Sequence, residues 1–245
     1  MSQKKSISAE WLEIDSNLKA YYARPTEPGR HPVILLIYEA FGATDHIKEC
    51  VQRFASEGFC VVCPDLYHDA VYDYQDRTNA IAHLKTLNDD TVMDECDRAL
   101  RLSTQRPECR GDCVATLGFC MGGRYALLAN ARLSTPIAAS VSFYGGGIAP
   151  KEDPFGRTPV IEQAAALQGP ALLHYGARDG SIPPDEHARV AQALTTANKR
   201  YDMHVFPDAG HSFFNDARES YADAAAKEAW DISLSFLARR LPVER

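Results

Sequence analysis

Two rhythms of apolar residues run along this chain. Residues 7–14 and 18–23 alternate apolar with polar positions on either side of Asp15-Ser16-Asn17, which predicts two half-buried strands joined as an antiparallel hairpin. From Val33 onward the alternation gives way to short, continuous apolar runs at 33–38, 59–63, 114–117, 138–144, 171–175 and 201–206. Between them lie stretches with helical periodicity, at 45–57, 73–87, 89–104 and 124–131, after Pro184, and from about 222 to 241. Strands that are apolar on both faces must be covered on both faces. The pattern therefore predicts an α/β protein with a mostly parallel sheet of seven to eight strands, opened by the hairpin and flanked by helices on both faces. Residues 145–159, rich in Gly and Pro, read as a surface excursion between a strand and a helix. Gly145-Gly146-Gly147 within it lacks both the dinucleotide-binding spacing and a following Lys-Ser/Thr pair, so it is not read as a phosphate loop.

Composition narrows this picture without changing it. With 245 residues, 45% of them hydrophobic, and no repeat or linker, the chain can bury one sizeable core, and a single domain over 1–245 is expected. A net charge of −7 argues against nucleic acid as a partner, because tracking phosphates requires clustered Lys and Arg. The first twenty residues have no signal-peptide core and no run approaches membrane-spanning length, so a cytoplasmic protein that does not engage membranes is expected. Seven cysteines, an odd number lying mainly in apolar or helical stretches, fit reduced thiols. Cys60 and Cys63 have the spacing of a redox or zinc pair. They nevertheless sit in an apolar run with no second ligand pair, so they read as core residues, as do Cys109 and Cys113. Neither a metal nor a cofactor is expected.

The candidate chemistry centres on Gly118-Phe119-Cys120-Met121-Gly122-Gly123, between an apolar run and a helical one. A Gly-x-nucleophile-x-Gly turn from strand to helix needs its glycines because larger side chains would collide with neighbouring backbone. Here the residue at the apex is a cysteine. Asp179 and His211 follow in the order nucleophile, acid, histidine, and each of the three comes after the carboxyl end of a predicted strand, where open α/β sheets gather their reactive groups. Cys120 would attack, His211 would take its proton, and Asp179 would hold the imidazole in the useful tautomer. The oxyanion would be held by the N–H groups of Met121 and Ala40. Phe41, Tyr144 and Ser212 flank the same strand ends and are candidate pocket walls. His174, inside an apolar run, reads as a satisfied core residue.

Together these segments resemble the dienelactone hydrolase family, cysteine members of the α/β-hydrolase fold. The resemblance runs from about Pro32 to Leu237 through Tyr38-Glu39-Ala40-Phe41-Gly42, Cys63-Pro64-Asp65-Leu66-Tyr67, the Cys120 turn, Gly176-Ala177-Arg178-Asp179 and Gly210-His211-Ser212-Phe213. It implies opening of a small lactone through a thioester, with a general carboxylesterase or thioesterase as the alternative. It also implies a catalytic role for Glu39, held near the resting thiol until a substrate carboxylate displaces it. The family's archetypal members hold that carboxylate with two arginines. Arg77 stands at the first of these positions; at the second this chain has Asn215, with Arg218 three residues later, and Ile81 stands where an aromatic hydroxyl is expected. The partner implied is a small lactone or ester, bound by a monomer or, alternatively, a dimer.

Overall fold

Every residue of one seven-residue strand near the start of the chain, His31–Ile37, is buried, and the sheet is assembled around it. The computed structural model describes residues 4–241; residues 1–3 and 242–245 of the expected 1–245 domain lie outside that description. In chain order the elements are β1 (Ile7–Asp15), β2 (Leu18–Pro25), β3 (His31–Ile37), α1 (Asp45–Ser56), β4 (Cys60–Pro64), α2 (Arg77–Leu84), α3 (Asp89–Thr104), β5 (Cys109–Phe119), α4 (Met121–Arg132) and β6 (Ala139–Phe143). A 3₁₀ turn (Val160–Ala166), β7 (Ala171–Gly176), α5 (Pro184–Thr196), β8 (Tyr201–Phe206) and α6 (Asp223–Arg240) complete the set. The eight strands lie in the order β1-β2-β4-β3-β5-β6-β7-β8. β1 and β2 form the antiparallel hairpin and β2 runs antiparallel to β4, while β4, β3, β5, β6, β7 and β8 are mutually parallel.

Period-two alternation on β6 shows how both sheet faces are covered. Ser140 turns toward α4, where Asn130 Nδ2 donates to its Oγ at 2.8 Å, while Phe143 turns the other way, its ring 4.8 Å from that of His174. His174 in turn meets Ser233 of α6 at 2.9 Å. On that side α6 also packs against α1, with the Phe54 and Trp230 rings 4.5 Å apart. On the α4 side the buried Arg124 reaches the carboxylate of Asp89 in α3 through two bonds of 2.7 Å.

The elements depart from the sequence reading in two informative places. The helical stretch read over 73–87 is a helix only from Arg77 to Leu84. Asp73 instead accepts from Gln75 N at 2.8 Å, and Asp76 accepts from Asn79 N at 3.3 Å as the N-cap; both aspartates compete with helical bonding upstream. β5 starts five residues before the apolar run, because Cys109 and Arg110 pair with His31 and Pro32 across a bulge. All seven cysteines carry free thiols, and all but Cys120 are buried. No helix among the described residues is long and apolar enough to cross a membrane.

Candidate active site

Strand order reverses at β3, which sends its successor β4 to one side and meets β5 on the other. Such a switch point leaves a crevice beyond the carboxyl ends of the two strands, because the following loops turn away in opposite directions. Glu39 and Ala40 follow β3, and Cys120 follows β5. Cys120 has φ 54° and ψ −119°, a strained backbone for any residue with a Cβ, and it caps α4. Its N–H is held by Phe143 O at 2.9 Å, and its carbonyl accepts from Gly123 N at 2.9 Å. A Cβ on Gly118 would overlap the Gly122 carbonyl, and one on Gly122 would overlap the carbonyl of Ile37 in β3. These two glycines let the turn close and dock on the neighbouring strand. Met121 opens α4, so its N–H belongs to the helix's unpaired first turn, and the residue lines the crevice.

A line of short contacts joins the thiol to the other two candidates. His211 Nε2 lies 3.1 Å from Cys120 Sγ, and His211 Nδ1 lies 2.8 Å from Asp179 Oδ2. Asp179 is buried, and its other oxygen accepts from Ser181 N at 2.8 Å and Ile182 N at 3.2 Å. Its loop-turn and imidazole bonds thus use different oxygens. Burial disfavours charging of the His211 ring, but electrostatic attraction to Cys120 and the hydrogen bonds to Asp179 and Cys120 outweigh it, and the His211 pKa is raised to about 10. Tyr144 supports the ring from below, edge-on at 5.3 Å. It does not line the cavity as the sequence reading expected. Its φ of 40° turns the side chain inward, where it is fully buried against Phe119 and Phe213.

Glu39 is 1% exposed, and its Oε1 accepts from Asn215 Nδ2 at 2.8 Å. Burial raises its pKa, opposed by the positive charge of Arg218 and of His211 and by the Asn215 hydrogen bond. The same Asn215 nitrogen reaches Tyr74 Oη at 2.9 Å, and Tyr74 Oη meets the Thr44 hydroxyl, the N-cap of α1, at 3.0 Å. Among the described residues Glu39 forms no hydrogen bond with Cys120, whose sulfur faces the imidazole instead. Glu39 and Cys120 line the same cavity, with Glu39 bonded to Asn215 and Cys120 facing His211. Arg218 stacks its guanidinium over Phe41 at 4.9 Å and Tyr74 at 5.1 Å, leaving Nη1 buried without a hydrogen-bond partner among the described residues.

The family follows from a comparison over almost the whole chain. The sequence model of the Dienelactone hydrolase family matches residues 18–241. The chain belongs to that family. A Salmonella typhimurium protein named "Putative carboxymethylenebutenolidase" is 32% identical over 243 residues, covering 96% of this chain and 88% of that one. A Bradyrhizobium protein named "Probable 2-oxo-3-(5-oxofuran-2-ylidene)propanoate lactonase" is 31% identical over 240 residues, covering 95% of each. Among solved structures, one described as a "Putative Dienelactone Hydrolase" from Klebsiella pneumoniae superposes with a TM-score of 0.88 at 29% identity, covering 96% of this chain and 100% of that one. This dienelactone hydrolase family member thus has the α/β-hydrolase fold and is a hydrolase acting on lactone or ester bonds.

One cavity of about 590 Å³ opens over the thiol. Of the residues anticipated from sequence, it brings together Glu39, Ala40, Phe41, Arg77, Cys120, Met121, His211 and Ser212. Asp179 lies behind His211, out of the cavity, as an orienting carboxylate must. Ile81 and Leu84 of α2 and the excursion from Gly146 to Arg157 make up much of the remaining wall. Tyr74 was not singled out from the sequence and the excursion was read only as a surface segment, since a tyrosine near a helix start and a Gly-Pro loop carry no local mark of function.

Proposed function

We propose that this family member is a cysteine hydrolase that opens a dienelactone-like lactone, or cleaves a related ester, through a thioester on Cys120. The observation that carries the reading is the unbroken line from Asp179 Oδ2 through His211 to Cys120 Sγ, with links of 2.8 and 3.1 Å. Those lengths suit proton transfer between sulfur and ring while the carboxylate fixes the tautomer. Attack of sulfur on the carbonyl carbon develops an oxyanion, received by the N–H groups of Ala40 and Met121. On collapse the carbon–oxygen bond breaks and His211 gives its proton to the leaving oxygen, which in a lactone stays tethered to the acyl chain. Water then attacks the thioester, giving its proton to His211, and the thiol returns.

Among the cavity cations, Arg77 and Arg218 are the ones we assign to a substrate carboxylate, with Arg218 Nη1 a buried donor in want of an acceptor. Asn215 serves another purpose, donating to Glu39 Oε1. The test is turnover of cis- and trans-dienelactone beside p-nitrophenyl acetate, with intact-mass detection of an acyl adduct that disappears in Cys120→Ala. Opening of the lactones supports the reading; ester cleavage with no lactone opening favours a carboxylesterase using the same residues. No turnover of any of the three, and no adduct, overturns the reading.

A further inference from the structure

The sheet ends at β8, and one side of that strand has no partner among the described residues. Arg200 and Phe206 turn their carbonyls toward β7, accepting from Ala171 N at 3.1 Å and Ala177 N at 2.9 Å. Backbone groups alternate sides from residue to residue, so Tyr201, Met203 and Val205 turn their N–H and C=O groups outward, where no described residue meets them. The side chains alternate too. Tyr201 Oη donates to Ala191 O of α5 at 3.2 Å, which puts Tyr201, Met203 and Val205 on the α5 face. The His204 ring lies 5.7 Å from that of His174, which puts Asp202 and His204 on the α6 face. Val205 is 45% exposed. Neither Asp202 nor His204 makes a hydrogen bond or ion pair among the described residues. The opposite end of the sheet is different, because β1 carries Glu10, Glu13 and Asp15, charges of one sign that guard an edge.

These features are self-complementary. A second copy of β8 laid antiparallel about a two-fold axis perpendicular to the sheet must pair residues of the same face. With the axis at Met203, all three outward residues find partners: Tyr201 exchanges backbone bonds with Val205 of the second copy, and Met203 with its own counterpart. The same register sets Asp202 opposite His204 on each side of the axis, and runs Tyr201, Met203 and Val205 into one apolar strip across the seam. Moving the axis by one residue sets Asp202 against Asp202 or His204 against His204, and leaves Val205 or Tyr201 beyond the paired stretch. We propose that β8 is a homodimer seam, joining the eight-stranded sheets of two copies of this chain through a two-fold axis at Met203. Because the joined strands run antiparallel, the two cavities open on opposite edges of the combined sheet.

Sedimentation velocity of the full chain over a concentration series tests the seam. Its short length predicts a reversible dimer with a Kd of about 1–100 μM. Val205→Lys, which puts a charge on the exposed edge, should give a monomer, and so should Met203→Pro, whose lost N–H does not serve β7. Both should keep the far-ultraviolet circular dichroism of the unaltered protein. Asp202→Lys should weaken association about tenfold, and adding His204→Glu should restore it. Register is read separately by oxidation with copper–phenanthroline in a Cys120→Ala background, since every other thiol is buried. Met203→Cys brings its two thiols together at the axis and should give a covalent dimer. Val205→Cys, whose two thiols are held about 14 Å apart, should not. A monomer at concentrations well above the expected Kd, a dimer that survives in a folded Val205→Lys, or cross-linking as fast through Val205→Cys as through Met203→Cys overturns the seam.

Discussion

Single atoms decide the proposed chemistry, and the sulfur of Cys120 is the first of them. Cys120→Ala and His211→Ala should each lower kcat/KM for p-nitrophenyl acetate by roughly four orders of magnitude, since residues acting as one unit fail together. Circular dichroism and melting temperature should stay near those of the unaltered protein, which separates lost chemistry from lost fold. Cys120→Ser should keep only a small residue of activity, because a hydroxyl needs a stronger base than a thiol. Glu39 gives a second prediction, with a sign. Its pKa is raised in the folded chain by burial, so its contribution to stability is full below the ordinary value of 4.5 and is lost as pH rises through the folded value. Glu39→Gln keeps an oxygen for Asn215 and removes that loss. The variant should melt higher than the unaltered protein at pH 7, with the gap closing below about pH 4.5. A gap that widens on acidification would contradict the assigned sign.

At the scale of elements, the β5–α4 turn is the part that tolerates least. Gly122 abuts the carbonyl of Ile37 in β3, so a methyl group there must push a helix off a strand. Gly122→Ala should cost at least about 3 kcal/mol, seen as a fall of roughly 6–12 °C in Tm for a chain of this size. The β7–α6 contact is sensitive to acid. His174 is buried against Ser233, and desolvation lowers its pKa to about 3. Its contribution to stability is present above the ordinary histidine value of 6.5 and is lost as pH falls from there toward 3. His174→Gln should therefore melt with a shallower pH dependence across that window; an equally steep fall would place the acid sensitivity elsewhere. Most elements were legible from periodicity, because burial on one or both faces writes a period of two or 3.6 directly into residue type. Element ends were less so. The start of α2 depended on Asp73 and Asp76 turning their side chains onto backbone N–H groups, and the start of β5 on a bulge that only pairing with β3 reveals.

Across the whole molecule, recognition of a charged substrate should separate from catalysis. Arg218→Met removes the unpartnered guanidinium donor while keeping much of its stem. It should lower kcat/KM for a carboxylated lactone about 10–100-fold, with a much smaller effect on p-nitrophenyl acetate; equal losses on both would assign Arg218 to the catalytic step or the fold instead. The candidate line of Cys120, Asp179 and His211 was readable in the chain because each follows a strand, and parallel strands deliver their carboxyl ends to one edge. The glycine frame marked the thiol for the same local reason, a turn too tight for side chains. What the sequence by itself determined is therefore the sheet, the order of the three candidates and the edge on which they meet, all written in local periodicity and local sterics. Only the tertiary structure decided that Asn215 donates to Glu39, that Arg218 stacks beside the site, that Tyr144 lies beneath the imidazole instead of in the cavity, and that the 145–159 excursion becomes a wall. Those outcomes depend on where side chains from segments far apart in the chain come to rest, and distance in space between such segments leaves no period in the sequence.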